Sequence, residues 1–196
     1  NQACAGDFDN DGDMDFFFFN NNGNRYTLLN NGTGTVFAVS SVAGTGATPK
    51  AFDMDGDGNN DFAVWGYSTG GNNGMAVAYG PYSGSNALFG GGSDDLPKLS
   101  AGFTLGPAIP GGSWTSSVMS TGNDVVNGPG NGAAPGWTGG VNERGFIGAR
   151  FETAAGTHYG WICLQSDPTP DNPSVSVVAY AYESTPDTPI RVGDTG

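Results

Sequence analysis

The sequence predicts an all-β chain of β-sandwich or jelly-roll type, with little or no helix. Three observations predict it. Glycine accounts for 35 of 196 residues, roughly two and a half times the usual share of about 7%. Leu, Lys, Glu and Gln, the residues that extend helices, are scarce beside Gly, Asn, Thr, Ser, Val and aromatics. The apolar residues come in short runs parted by Gly, Asn and Pro, the pattern of strands joined by many turns.

In chain order, the first feature is DFDNDGDMDFFFF at 7–19. Asp7, Asp9, Asp11 and Asp15 stand at positions 1, 3, 5 and 9 of a DxDxDGxxD spacing, with Gly12 at position 6 and the carbonyl of Asp13 at position 7. Carboxylates this close repel and raise one another's pKa, so the stretch works against its own folding unless a cation neutralises it. Hard oxygens at alternate residues around a glycine bend are the opening of a calcium loop. DMDGDGNND at 53–61 repeats the plan, with Asp53, Asp55, Asp57 and Asp61 in register, Gly58 at the bend and Asn59 at position 7. The second loop begins 46 residues after the first. The common register predicts two Ca²⁺ sites. Position 12 is Phe18 in one loop and Val64 in the other, where a helical EF-hand needs a bidentate Glu. The loops therefore join strands.

Strands follow each loop. FFFF (Phe16, Phe17, Phe18, Phe19), RYTLL and VFAVSSV are the strands of residues 1–50, parted by the turns NNNGN and NNGTG. FAVWGY and MAVAYG come next. The stretch 83–138 is rich in Gly, Pro, Ser and Asn, and predicts long surface loops and edge segments. FIGARF (146–151), HYGWICL (158–164) and SVSVVAYAY (174–182) resume the strand pattern, bounded by AAGT and DPTPDNP. The chain divides into an N-terminal calcium-loop β segment, 1–50, packed on a calcium-loop β-sandwich domain, 51–196.

Two resemblances accompany these motifs. GDFDNDGDMDFFFFNNNGNRYTLLNNGTGTVF resembles the calcium-loop repeats called FG-GAP or VCBS repeats, in which a DxDxDG loop joins strands. Integrin-type propellers stack several such repeats, and two loops are too few to close one. DMDGDGNNDF, GFIGARF, THYGW and AYESTPDTPIRVG, in that order over roughly 51–193, resemble a family of secreted bacterial domains found among PEP-CTERM-sorted, exopolysaccharide-associated proteins. That resemblance implies an extracellular setting and a β fold. The sequence departs from it by reaching Gly196 without a hydrophobic, arginine-ended tail and by adding a calcium loop in front.

Lys and Arg number 6 against 19 Asp and Glu, a net charge of −13. Nine of the acids lie in the two loops, and two Ca²⁺ would bring the formal figure to −9. With no basic face, nucleic acid is excluded as a partner. No apolar run is long enough to span a membrane as a helix. The start at Asn1 reads as a processed chain. Cys4 and Cys163 near opposite ends predict a disulfide in an oxidising compartment, with two buried thiols as the other reading. Extracellular calcium modules bind at about 10⁻⁴ to 10⁻³ M. Together these predict a secreted or cell-surface protein.

The catalytic candidates are weak. His158, the one histidine, sits in HYGW and reads as a strand residue. Gly66 to Gly70 spell GxSxG, with Asp124 and His158 following in hydrolase order. The GGNNG that follows cannot start the helix a nucleophile elbow needs. Glu143, Glu152 and Glu183 lack any spacing that defines a glycosidase pair, and pairing with Arg144, Arg150 or Arg191 accounts for them. No enzyme is expected. Trp65, Trp114, Trp137 and Trp161 read mainly as core, with a sugar-stacking platform as the other use. Asn31 opens NGT, a glycosylation sequon in a turn.

In a two-layer sandwich alternate residues of FFFF face outward. Covering each is worth roughly 1.5 to 3 kcal/mol, so either the middle of the chain or another subunit lies over them. The expectation is an extracellular, calcium-rigidified structural protein that assembles with copies of itself into a fibre or surface layer. The alternative is a carbohydrate-binding or adhesion module of an extracellular polysaccharide matrix.

Overall fold

The computed structural model describes residues 2–6, 15–19, 24–30, 37–43, 45–46, 50–58, 60–68, 74–79, 86–90, 96–115, 125–127, 135–167 and 173–194. Among them there is no helix, and the strands pair antiparallel throughout. The all-β class is the observed one. β1 (Gln2–Gly6), β2 (Asp15–Phe19), β3 (Asn24–Asn30) and β4 (Phe37–Ala43) form a four-stranded meander in that order. β5 (Thr45–Gly46), β6 (Lys50–Phe52), β7 (Phe62–Ser68) and β8 (Gly74–Tyr79) lead on to β9 (Ala87–Gly90), β10 (Thr104–Leu105), β11 (Ser113–Thr115) and β12 (Val125–Asn127). β13 (Glu143–Thr153), β14 (Gly156–Asp167), β15 (Ser174–Tyr182) and β16 (Ile190–Arg191) complete the chain.

Two larger sheets carry the interior. One runs β12-β8-β7-β5, with β6 also on β7; the other runs β11-β9-β13-β14-β15. Period-two alternation sends the residues of β13 and β14 to two faces. Ile147, Ala149, Phe151, Ile162 and Leu164 meet Phe62, Val64 and Met54 from the β7 side in one apolar cluster. Phe146, Tyr159, Trp161 and Cys163 point the other way, into a second cluster with Phe89, Leu105, Ile190 and Val192. The short β10–β16 ladder belongs to that second layer. The central sheet is thus covered on both sides, which explains why β13 and β14 are apolar on both faces.

The stretch 83–138 differs from the expectation of loops and edges. β9 is an interior strand between β11 and β13, and all four of its residues are buried. Leu96, Leu99 and Trp137 are also buried. The Trp137 indole donates to the Leu96 carbonyl at 3.0 Å, so polar needs are met locally while the ring fills the core. ALFG is too short for a period to stand out, and its glycine-rich flanks mask it.

The disulfide expectation is corrected. Cys163 is a free thiol, half-buried on β14 opposite Phe146 and Ala179. Burial pushes its pKa up, and the Arg144 charge offsets only part of that. Cys4 lies on β1 in the separate four-stranded sheet.

Candidate metal centre

The register Phe52↔Phe62 between β6 and β7 makes 53–61 the loop of a hairpin, closed by the Asp61 amide donating to the Phe52 carbonyl at 3.0 Å. Inside it, Asp53 turns the chain by accepting from Gly56 N at 2.6 Å through Oδ1 and from Gly58 N at 2.8 Å through Oδ2. Asp55 Oδ1 accepts from Asp57 N at 3.1 Å. Gly56 and Gly58 have φ of 81° and 99°, a left-handed backbone that side chains resist. The spacing marks Gly58 at the bend; Gly56 is a second enforced turn.

Ligand oxygens of Asp53, Asp55 and Asp61 lie within 4.8 Å of one another. Oxygens at 2.3 to 2.6 Å from one common Ca²⁺ must be no farther apart than about 5 Å, so the three oxygens fit such an ion in hardness and spread. The oxygens that accept amide protons each keep a second lone pair for a cation. Burial raises Asp55, the Asp57 amide partly offsets it, and repulsion from Asp57 and Asp53 adds to it. Asp61, the most buried of the three, is pushed up to about 7. Burial is the largest cause; the Met54 amide opposes it, and the charges of Asp55, Asp53 and Asp57 add to it. A divalent cation at the centre inverts that balance.

Of the residues the sequence nominates, the structure brings together Asp53, Asp55 and Asp61. Asp57 is exposed in the same loop. Asp15 opens β2, and Phe16, Phe17, Phe18 and Phe19 continue it. Asp7, Asp9, Asp11, Asp13, Asn59, Asn31 and Asp124 lie outside the described residues.

The loop is moored to the central sheet at several points. Met54 is buried, and its methyl lies where a Cβ on Gly160 would be, 2.4 Å from that position. Tyr180 donates to the Asp53 carbonyl at 3.3 Å and its ring lies 5.7 Å from Phe52. Asp61 Oδ2 accepts from Met54 N at 2.7 Å, and Oδ1 accepts from Asn86 Nδ2 at 3.3 Å. Asn86 and Tyr180 carry no motif in the sequence; nothing distinguishes Asn86 from its neighbours in SGSNALFG.

The HYGW, GARF and AYE motifs meet beside this loop. His158 is buried, with Nδ1 against the Glu183 carbonyl at 2.8 Å and Nε2 against Thr153 Oγ1 at 3.1 Å. Its ring stacks on Phe151 and meets Tyr182 edge-on. Glu143 pairs with Lys98 at 2.8 Å, a correction to the arginine expectation. Burial pushes its carboxyl up, but the bonds from Lys98 and Thr138 outweigh that and hold it below its usual range. Glu152 accepts from Thr157 Oγ1, and Glu183 from Thr185 N. Lys98 lies 45 residues before Glu143, so only tertiary packing brings the pair together.

The class these features define is a β protein with an acidic, oxygen-rich turn between two paired strands. Residues 7–64 match the family model of the FG-GAP-like repeat. The match opens on Asp7, the first aspartate of the first loop, and closes on Val64, just past the second. Repeats of this kind are commonly calcium-binding and typically extracellular. No curated protein and no solved structure matches the chain. Among the described residues, no helix is long and apolar enough to cross a membrane.

Proposed function

We propose that this chain is an extracellular calcium-binding structural protein, not an enzyme, whose two aspartate loops are rigidified by one Ca²⁺ each and which associates with copies of itself into a fibre or matrix layer. The observation that carries the calcium part is the convergence of Asp53, Asp55 and Asp61 in a loop that lies within the FG-GAP-like match. The remaining ligands of each loop follow the common spacing, with Asp57 and the Asn59 carbonyl in the second loop, and Asp7, Asp9, Asp11, Asp13 and Asp15 in the first. The order of the DxDGDG, HYGW and AYE motifs supports kinship with secreted, PEP-CTERM-associated matrix domains.

Calorimetric titration with CaCl₂ tests the calcium reading. The expected result is binding near 10⁻⁴ to 10⁻³ M, reduced to a single site by Asp61→Asn. No heat at millimolar calcium overturns it. Electron microscopy with and without chelator tests association; monodisperse particles at saturating calcium overturn that part alone.

One observation favours the second reading, a carbohydrate-binding module. Trp114 is half-buried and lines a groove of about 460 Å³ with Ile109, Pro107, Pro110 and Ser113. Trp137 and Trp161 are buried and bonded to backbone carbonyls, so neither offers a platform. Loss of glycan binding in Trp114→Ala would favour this reading.

A further inference from the structure

The amide of Asn86 is 4% exposed and bonded at both ends. Its Oδ1 accepts from the backbone N–H of Glu152 at 3.0 Å, and its Nδ2 donates to Asp61 Oδ1 at 3.3 Å. A backbone N–H only donates, so the Glu152 contact fixes which end of the amide faces Asp61. The bond to Asp61 is therefore directional and set from the far side, by β13. Met54 N holds the other carboxylate oxygen. Between them the two donors fix the plane of the Asp61 carboxylate and leave its remaining lone pairs free for a cation shared with Asp53 and Asp55. Asn86 directly precedes β9, whose first residue, Ala87, pairs with Arg150 of β13.

We propose that Asn86 is a positioning residue for the metal ligand Asp61, and that it ties ion binding to the stability of the β9–β13 region of the central sheet. The proposal rests on the calcium reading of the loop. Residues that orient a ligating carboxylate typically change metal affinity by about 10- to 100-fold when removed.

The test is the calcium-induced rise in Tm, read with calcium affinity by calorimetry, in wild type, Asn86→Ala and Asn86→Asp. Asn86→Ala removes both contacts. It lowers the Tm of the chelated protein, shrinks the calcium-induced rise and weakens affinity by about 10- to 100-fold. Asn86→Asp keeps an acceptor for Glu152 N–H but turns a second carboxylate oxygen toward Asp61. That repulsion lowers the chelated Tm and calcium relieves it, so the calcium-induced rise exceeds that of wild type. Because its contact to β13 survives, this variant decides the matter where Asn86→Ala does not fold.

A residue serving only the core would lower the chelated and calcium-loaded Tm equally. A calcium-induced rise and affinity equal to wild type therefore overturn the proposal. Wild type that binds no calcium overturns the calcium reading, and this inference with it. Wild type that binds, beside variants that bind as tightly, overturns the role of Asn86 alone.

Discussion

Asp61 answers to two opposed demands: it is buried enough to anchor the loop, yet must be ionised to hold a cation. In the calcium-free protein its carboxyl sits at about 7 instead of 3.8, chiefly through burial. Between those values the folded chain keeps a proton that the unfolded chain has released. Stability from this group is thus complete below the unfolded value and is lost as pH rises through the folded one. At about 1.4 kcal/mol per pKa unit the effect is a few kcal/mol. On the proposed calcium reading, the ion substitutes for the proton and removes the dependence. The Tm of chelated protein is therefore expected to fall from about pH 4 to about pH 7 and to level off above that, while the Tm at saturating calcium does not. Asp61→Asn should flatten the chelated profile. Equal slopes in wild type and Asp61→Asn would show that the pH dependence arises elsewhere.

At the scale of elements, β7 crosses the start of β15 so closely that a side chain has no room. A Cβ on Gly66 would stand 1.8 Å from the Pro173 carbonyl oxygen and 2.7 Å from Ser174 N. Both neighbours are backbone and cannot swing aside, so Gly66→Ala belongs in the rare class that costs more than about 4 kcal/mol. Gly58 is a contrasting case: nothing lies within 4 Å of its Cβ position, and only its φ of 99° resists. Gly58→Ala should cost about 1 to 2 kcal/mol. Urea melts of the two variants separate close approach from backbone strain. The same contrast bounds what the sequence discloses. Gly58 is legible because the aspartate spacing around it declares a bend. Gly66 is not, since its reason lies in Pro173, and GxSxG suggests chemistry instead. Long alternating runs disclose their strands, and SVSVVAYAY becomes β15 with the same bounds, Ser174–Tyr182. β9 escapes because ALFG is short, and its burial is decided by flanking strands from elsewhere in the chain. Of the site, the aspartates were legible from their spacing; Asn86, Met54 and Tyr180 were not, because tertiary packing alone brings them to the loop.

For the whole molecule, the proposed association must occur despite a net charge of −13 and through surfaces that are open. The phenylalanine strand β2 lies between β1 and β3, so its backbone bonds are already taken and it can offer only its faces. The edges are elsewhere. β15 borders the central sheet and exposes Val178 and Tyr180. Its register shifts at Val178, since Cys163 pairs with Ala179 and Leu164 with Val177. Bulges of this kind blunt an edge against strand addition. Association is accordingly expected at faces and loops rather than along β15, and Val178→Lys should leave it intact. Calcium can favour association either by lowering repulsion or by fixing the loops, and salt separates these. Near 1 M salt the screening length is about 3 Å, so repulsion between copies is largely removed without any ion in the loops. If loop geometry is what counts, chelated protein stays dispersed at high salt and sediments as assemblies only when calcium is restored. Assembly of chelated protein in salt alone would assign the role of calcium to charge.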